Sequence, residues 1–74
     1  MEEMDYRGLL CPLPVLKARR ALAGCPPGTR LRFLVTDPKA PEDFRHFCEA
    51  AGHRLVSVET CGEGIWAVVV ERGG

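Results

Sequence analysis

Hydrophobic positions along this chain change period several times, and each change predicts an element. From about Pro12 to Ala23 the apolar residues Val15, Ala18, Leu22 and then Cys25 recur at helical spacing. Lys17, Arg19 and Arg20 fall largely off that stripe. Gly24 and the run Pro26-Pro27-Gly28 end this helix in a turn. From Thr29 to Thr36 the period shortens: Leu31, Phe33 and Val35 alternate with Arg30, Arg32 and Leu34, as in a strand with one wet face. Asp37-Pro38 stops that strand. A second helix begins near Pro41, with Phe44, Phe47, Cys48 and Ala51 inward and Glu42, Arg45, His46 and Glu49 outward, and Gly52 closes it. A third strand spans Arg54 to Thr60, Cys61-Gly62-Glu63-Gly64 reads as a hairpin turn, and Ile65 to Glu71 is a β-branched fourth strand. Ahead of all these, Met4 to Arg7 reads as a short first strand, with Gly8 releasing the chain into a loop.

The order β-α-β-α-β-β predicts an α/β fold: a two-layer α/β sandwich, with a four-stranded mixed sheet and two helices on one face. The opening crossover makes the first two strands parallel, and the last two form an antiparallel hairpin. The fourth strand is a candidate sheet edge. Residues 1–74 make a single domain. A chain of this size buries only about 60% of its unfolded surface, too little for a deep cleft with a lid. That argues against a self-contained multistep enzyme.

Composition narrows the partners. Formal net charge is +0, which argues against bulk attraction to nucleic acid or an anionic membrane. No apolar run approaches the roughly 20 residues that span a bilayer. The acidic start Met1-Glu2-Glu3-Met4-Asp5 is not a signal peptide, so the expected location is cytoplasmic and the cysteines are expected as thiols.

Among those cysteines, Cys11 stands apart. Cys25 and Cys48 lie on apolar stripes and read as small core residues. Cys61, in a turn, reads as a tolerated surface cysteine or a secondary thiol. The spacing contains no C-x-x-C pair, so neither a structural zinc site nor a dithiol redox pair is expected, and no metal or cofactor is called for. Cys11 instead heads a helix in the run Cys11-Pro12-Leu13-Pro14, released by Gly8. Pro12 suits the first helical position, and Pro14 still falls where amides lack partners. Free amides such as that of Leu13 and the positive end of the helix dipole are then expected to lower the thiol pKa and make Cys11 a reactive nucleophile. His46 and His53 are available for a Cys-His pair, but no local pattern aims either at Cys11. Lys17, Arg19 and Arg20 read either as a solvated face or as a docking patch for an acidic partner. Tyr6 and Trp66 read as core or sheet aromatics.

The run Asp5-Tyr6-Arg7-Gly8-Leu9-Leu10-Cys11-Pro12-Leu13-Pro14 resembles the signature of the TusA/SirA sulfur-carrier family, in which a short strand and a glycine precede Cys-Pro-x-Pro at a helix start. The similarity extends through the basic pair Arg19-Arg20, Asp37-Pro38, Phe47-Cys48, Gly52-His53 and the Arg72-Gly73-Gly74 end. Leu13 departs from it, being apolar where some members carry an acid. The resemblance implies the sandwich above, shared in outline with the C-terminal domain of translation initiation factor 3. It implies that Cys11 accepts sulfane sulfur as a persulfide. Donors would be cysteine desulfurases or rhodanese-like proteins, and acceptors would serve tRNA thiolation, molybdenum-cofactor synthesis or sulfur oxidation. Three alternatives stand beside it: a thiol redox protein, a non-catalytic regulatory or RNA-binding module, and a ubiquitin-like carrier acting through Gly73-Gly74. The last lacks an opening β-hairpin and leaves Cys11 unexplained. Neutral charge and few aromatics weigh against direct nucleic-acid binding.

Overall fold

The computed structural model describes residues 1–74. Its elements run β1 (Glu2–Asp5), α1 (Leu13–Ala23), β2 (Arg30–Val35), α2 (Ala40–Ala51), β3 (Arg54–Thr60) and β4 (Trp66–Glu71). The four strands form one mixed sheet in the order β1-β2-β4-β3. β1 runs parallel to β2, while β4 is antiparallel to both β2 and β3. The expected sandwich is therefore present, with one revision of topology. β4 is an interior strand, and β1 and β3 are the edges. The reason lies in burial: Ala67, Val68, Val69 and Val70 are all buried, a run apolar on both sheet faces that gains most with a neighbour on each side. β3 is at most half-buried along its length and ends on exposed Glu59 and Thr60, which an edge tolerates. A register irregularity between Leu55 and Ser57 bends that edge.

The helices pack on the face formed by Leu31, Phe33, Val35, Val68 and Val70, and contribute Ala18, Leu22, Ala40, Phe44 and Cys48. Tyr6, Phe33 and Phe44 form a row of stacked rings, with centroids 5.5 and 5.3 Å apart. This row ties the end of β1 through β2 to α2. Ala51, expected inward, is exposed; Ala40, at the opposite end of α2, is buried. Gly52 closes α2 at φ +76, so the helix ends one turn past Cys48 and leaves Ala51 beyond the sheet.

β1 lies earlier than the expected Met4–Arg7. Its polar residues pair with β2, Glu2 opposite Leu31 and Glu3 opposite Arg32, with a Glu3–Arg32 ion pair of 3.1 Å on the uncovered face. The strand stops at Asp5 because that carboxylate accepts the Arg7 amide at 3.1 Å and grips its guanidinium through two bonds of 2.8 Å. That turn carries the chain out of the sheet.

Candidate functional site

Beyond β1, the segment from Tyr6 to Cys11 is fastened at three points to the end of β2 and the residues just after it. The Tyr6 amide donates to the Leu34 carbonyl at 2.9 Å and the Gly8 amide to Thr36 Oγ1 at 2.9 Å. Gly8 sits at φ +82, a conformation side chains resist. The Cys11 amide then donates to Asp37 Oδ2 at 2.6 Å. The other oxygen of Asp37 accepts the Lys39 amide at 2.9 Å. One carboxylate thus joins the cysteine loop to the start of α2. These two bonds hold the Asp37 carboxyl below the usual aspartate range, the one from Cys11 counting most.

Cys11 is exposed at this edge of the sheet. It precedes Pro12, which is the N-cap of α1 in place of the first helical residue; Leu13 is first and Pro14 second. The Cys11–Pro12 peptide bond is cis. Both prolines still occupy positions where an amide has no helical acceptor. Pro14 does more than stiffen the entrance: its ring is fully buried and wedges α1 against the fold. The Leu13 amide does not reach the sulfur as expected but donates to the Leu10 carbonyl at 2.9 Å.

The electrostatic expectation at Cys11 is reversed. Its Sγ donates a hydrogen bond to Asp43 Oδ2, across 32 residues of sequence. That bond, then desolvation and the negative charges of Asp43 and Asp37, push the thiol pKa up; Lys39 opposes them. A carboxylate in direct contact outweighs the diffuse charge of a helix end. The contact therefore favours the hydrogen-bonded thiol over the thiolate.

Cys11 opens onto a cleft of about 370 Å³ between the helices, lined also by Val15, Leu16, Arg19, Asp43, His46 and Phe47. Leu10, Leu13 and Leu16 stand out to solvent beside it, 71%, 45% and 52% exposed, forming an apolar collar. Arg19 reaches the cleft. Lys17 and Arg20 join it instead in a broader groove on α1 with Tyr6 and Leu16. None of the three cations has an ion-pair partner, and α1 contains no acidic residue. Asp37 and Asp43 were missed by sequence reasoning, and His46 was placed on an outer face with no aim. Asp37 carried a local signal, an acid directly before proline where side chains commonly hold turn amides. Asp43 carried none, since its partner is not local.

The other thiols differ from Cys11. Cys25, just past the end of α1, donates to the Ala21 carbonyl of its last turn at 3.3 Å. Cys48 is buried, and burial pushes its pKa up. Cys61 is exposed in the β3–β4 turn. His53 is engaged elsewhere: its Nδ1 accepts the Gly73 amide at 2.9 Å.

Comparison with known proteins places this geometry in context. Residues 2–72 match the family model described as sulfurtransferase TusA. A Neisseria meningitidis serogroup A protein, carried under a provisional sulfur-carrier name, is 43% identical over 70 residues, 95% of this chain and 93% of the other. The sulfur carrier protein TusA of Pseudomonas syringae pv. syringae is 39% identical over 62 residues, 84% of this chain and 73% of the relative. The crystal structure of a SirA-like protein from Desulfitobacterium hafniense superposes with a TM-score of 0.86 at 25% identity, over 100% of both chains. No helix here is long and apolar enough to cross a membrane.

Proposed function

We propose, from the premise that this chain belongs to the sulfurtransferase TusA family, that it relays sulfane sulfur as a persulfide on Cys11. The observation that carries this reading is the exposed sulfur of Cys11 within an apolar collar, at the mouth of a cleft lined by Arg19 and His46. A relay protein needs one reachable sulfur and a surface for two successive partners. It needs no bound group of its own.

The chemistry is thiol–disulfide exchange in form. The donor presents a persulfide, R–S–SH. The Cys11 thiolate attacks the outer sulfur, the donor S–S bond breaks, and R–S⁻ leaves and takes up the proton that Cys11 lost. The sulfane sulfur keeps its oxidation state, so no external oxidant enters. Handover to an acceptor repeats the exchange with Cys11 as the leaving thiol.

In this reading Gly8, Pro12 and Pro14 hold the sulfur at the tip. Leu10, Leu13 and Leu16 meet apolar surface on the partner, and Lys17, Arg19 and Arg20 meet its acidic rim. The donor is a cysteine desulfurase or rhodanese-like protein. The acceptor belongs to tRNA thiolation, cofactor synthesis or sulfur oxidation. The cytoplasm, where thiols stay reduced, is the compartment this relay chemistry fits.

The test is intact mass after incubation with a cysteine desulfurase and cysteine. Wild type gains one sulfur atom, and Cys11→Ser gains none. Gain of sulfur by Cys11→Ser overturns the reading, as does loss of loading when Gly74 alone is deleted.

A further inference from the structure

The acid facing the sulfur calls for an explanation, because a relay thiol must become a nucleophile and Asp43 opposes that. Both sides of the contact are built. On the Cys11 side, Asp37 Oδ2 holds the cysteine amide at 2.6 Å. On the Asp43 side, the residue sits in the first turn of α2, with its amide on the Lys39 carbonyl at 3.0 Å. Its neighbour Phe44 is fully buried and anchors that turn. Asp37 also grips the Lys39 amide, so the two sides share one support.

We propose that Asp43 is a positioning residue that parks the unloaded Cys11 sulfur as a hydrogen-bonded thiol against α2, and that release of this contact arms the nucleophile. The proposal rests on Cys11 being the sulfur-bearing residue. The charged and titratable groups around the sulfur are Asp43 and His46 from α2, Asp37 and Lys39 from the segment joining β2 to α2, and Arg19 from α1. The cleft thus holds two basic side chains, Arg19 and His46, beside the carboxylate that occupies the thiol. A docking partner that supplies a cation to Asp43, or turns the thiol toward Arg19, frees the proton and exposes the thiolate. Exposure of Cys11 therefore does not leave it reactive toward every electrophile. Without a partner in place the sulfur reacts slowly. Armed in this way, it attacks the outer sulfur of the donor persulfide. The Cys11–sulfur bond forms as the donor S–S bond breaks, and the departing thiolate takes the Cys11 proton.

The experiment is alkylation of the full-length protein with iodoacetamide across a pH series, read at the Cys11 peptide by mass spectrometry. Asp43→Asn removes the negative charge, and Asp43→Ala removes charge and acceptor together. Both are expected to move the alkylation midpoint to lower pH, whereas Asp43→Glu keeps it near wild type. Each unit of downward shift raises the thiolate fraction tenfold; after allowing for its weaker intrinsic nucleophilicity, the rate at neutral pH rises about threefold. An unchanged or raised midpoint in Asp43→Asn and Asp43→Ala overturns the proposal. Where a variant does not fold, wild type alone decides: a Cys11 midpoint at or below the ordinary thiol value of about 8.5 also overturns it. No sulfur donor enters this assay. Failure of persulfide loading and failure of the Asp43 role are therefore separate results.

Discussion

Replacing Phe44 by Ala tests how the fold holds the site. Phe44 is fully buried on α2 and stacks on Phe33 with centroids 5.3 Å apart and planes at 29°. Phe33 in turn stacks on Tyr6 at 5.5 Å, so the truncation opens a hole at the end of a row that joins β1, β2 and α2. Truncating a buried phenylalanine costs about 3–5 kcal/mol. Native domains hold roughly 0.05–0.15 kcal/mol per residue, which for 74 residues is about 4–11 kcal/mol. The variant therefore loses between about a quarter and all of its stability. At ~4–8 °C per kcal/mol in a domain of this size, Tm falls by at least about 12 °C. The assay is urea unfolding followed by the fluorescence of Trp66, the chain's one tryptophan, which packs against the core. Because Asp43 precedes Phe44 on the same turn, alkylation of Cys11 in the folded variant should also quicken. A stability loss below about 1 kcal/mol, the ordinary value for an average substitution, refutes the reasoning.

The remaining predictions concern the supports and the docking face. Asp37→Ala removes the acceptor shared by the Cys11 and Lys39 amides and should destabilise the protein at neutral pH. Because the folded Asp37 pKa is depressed, its contribution is complete above the unfolded value of about 3.9 and fades as pH falls through the folded one. The gap between the urea midpoints of wild type and variant should narrow as pH falls below about 3.9; a gap that stays equal at neutral and acid pH contradicts the assignment. Gly73→Ala places a Cβ 1.8 Å from the Gly52 carbonyl oxygen, so the tail must leave His53. The His53 pKa, held down by burial and by Arg72, should rise toward 6.5 in an NMR titration, and an unmoved titration counts against the contact. Reversing charge with Lys17→Glu and Arg20→Glu, both outside the Cys11 cleft, should slow sulfur loading from a donor protein and flatten its salt dependence, while loading from a small polysulfide stays unchanged. Equal slowing with both donors argues against a docking role.

Much of this molecule was legible from short-range pattern. Helix and strand identities follow from apolar period, and their ends from Gly24, Pro26-Pro27-Gly28, Asp37-Pro38 and Gly52. Those signals lie within one or two turns of the residues they govern. The prolines around Cys11 likewise set it apart from Cys25, Cys48 and Cys61. β1 was displaced because Glu2 and Glu3 read as a polar terminus. They become a strand only because β2 presents a backbone edge, and Arg32 to Glu3, across the sheet.

The chain's own order of residues determined the element types and the sandwich, and singled out Cys11 as the candidate sulfur. Tertiary structure alone decided that β4 lies between β2 and β3, and that Cys11 faces carboxylates. Strand order depends on which apolar run gains most from two neighbours, a comparison made across the whole sheet. The state of the thiol depends on Asp37 and Asp43, 26 and 32 residues away. Charges act through space at contact distance, and no local spacing records which distant side chain the fold will bring there.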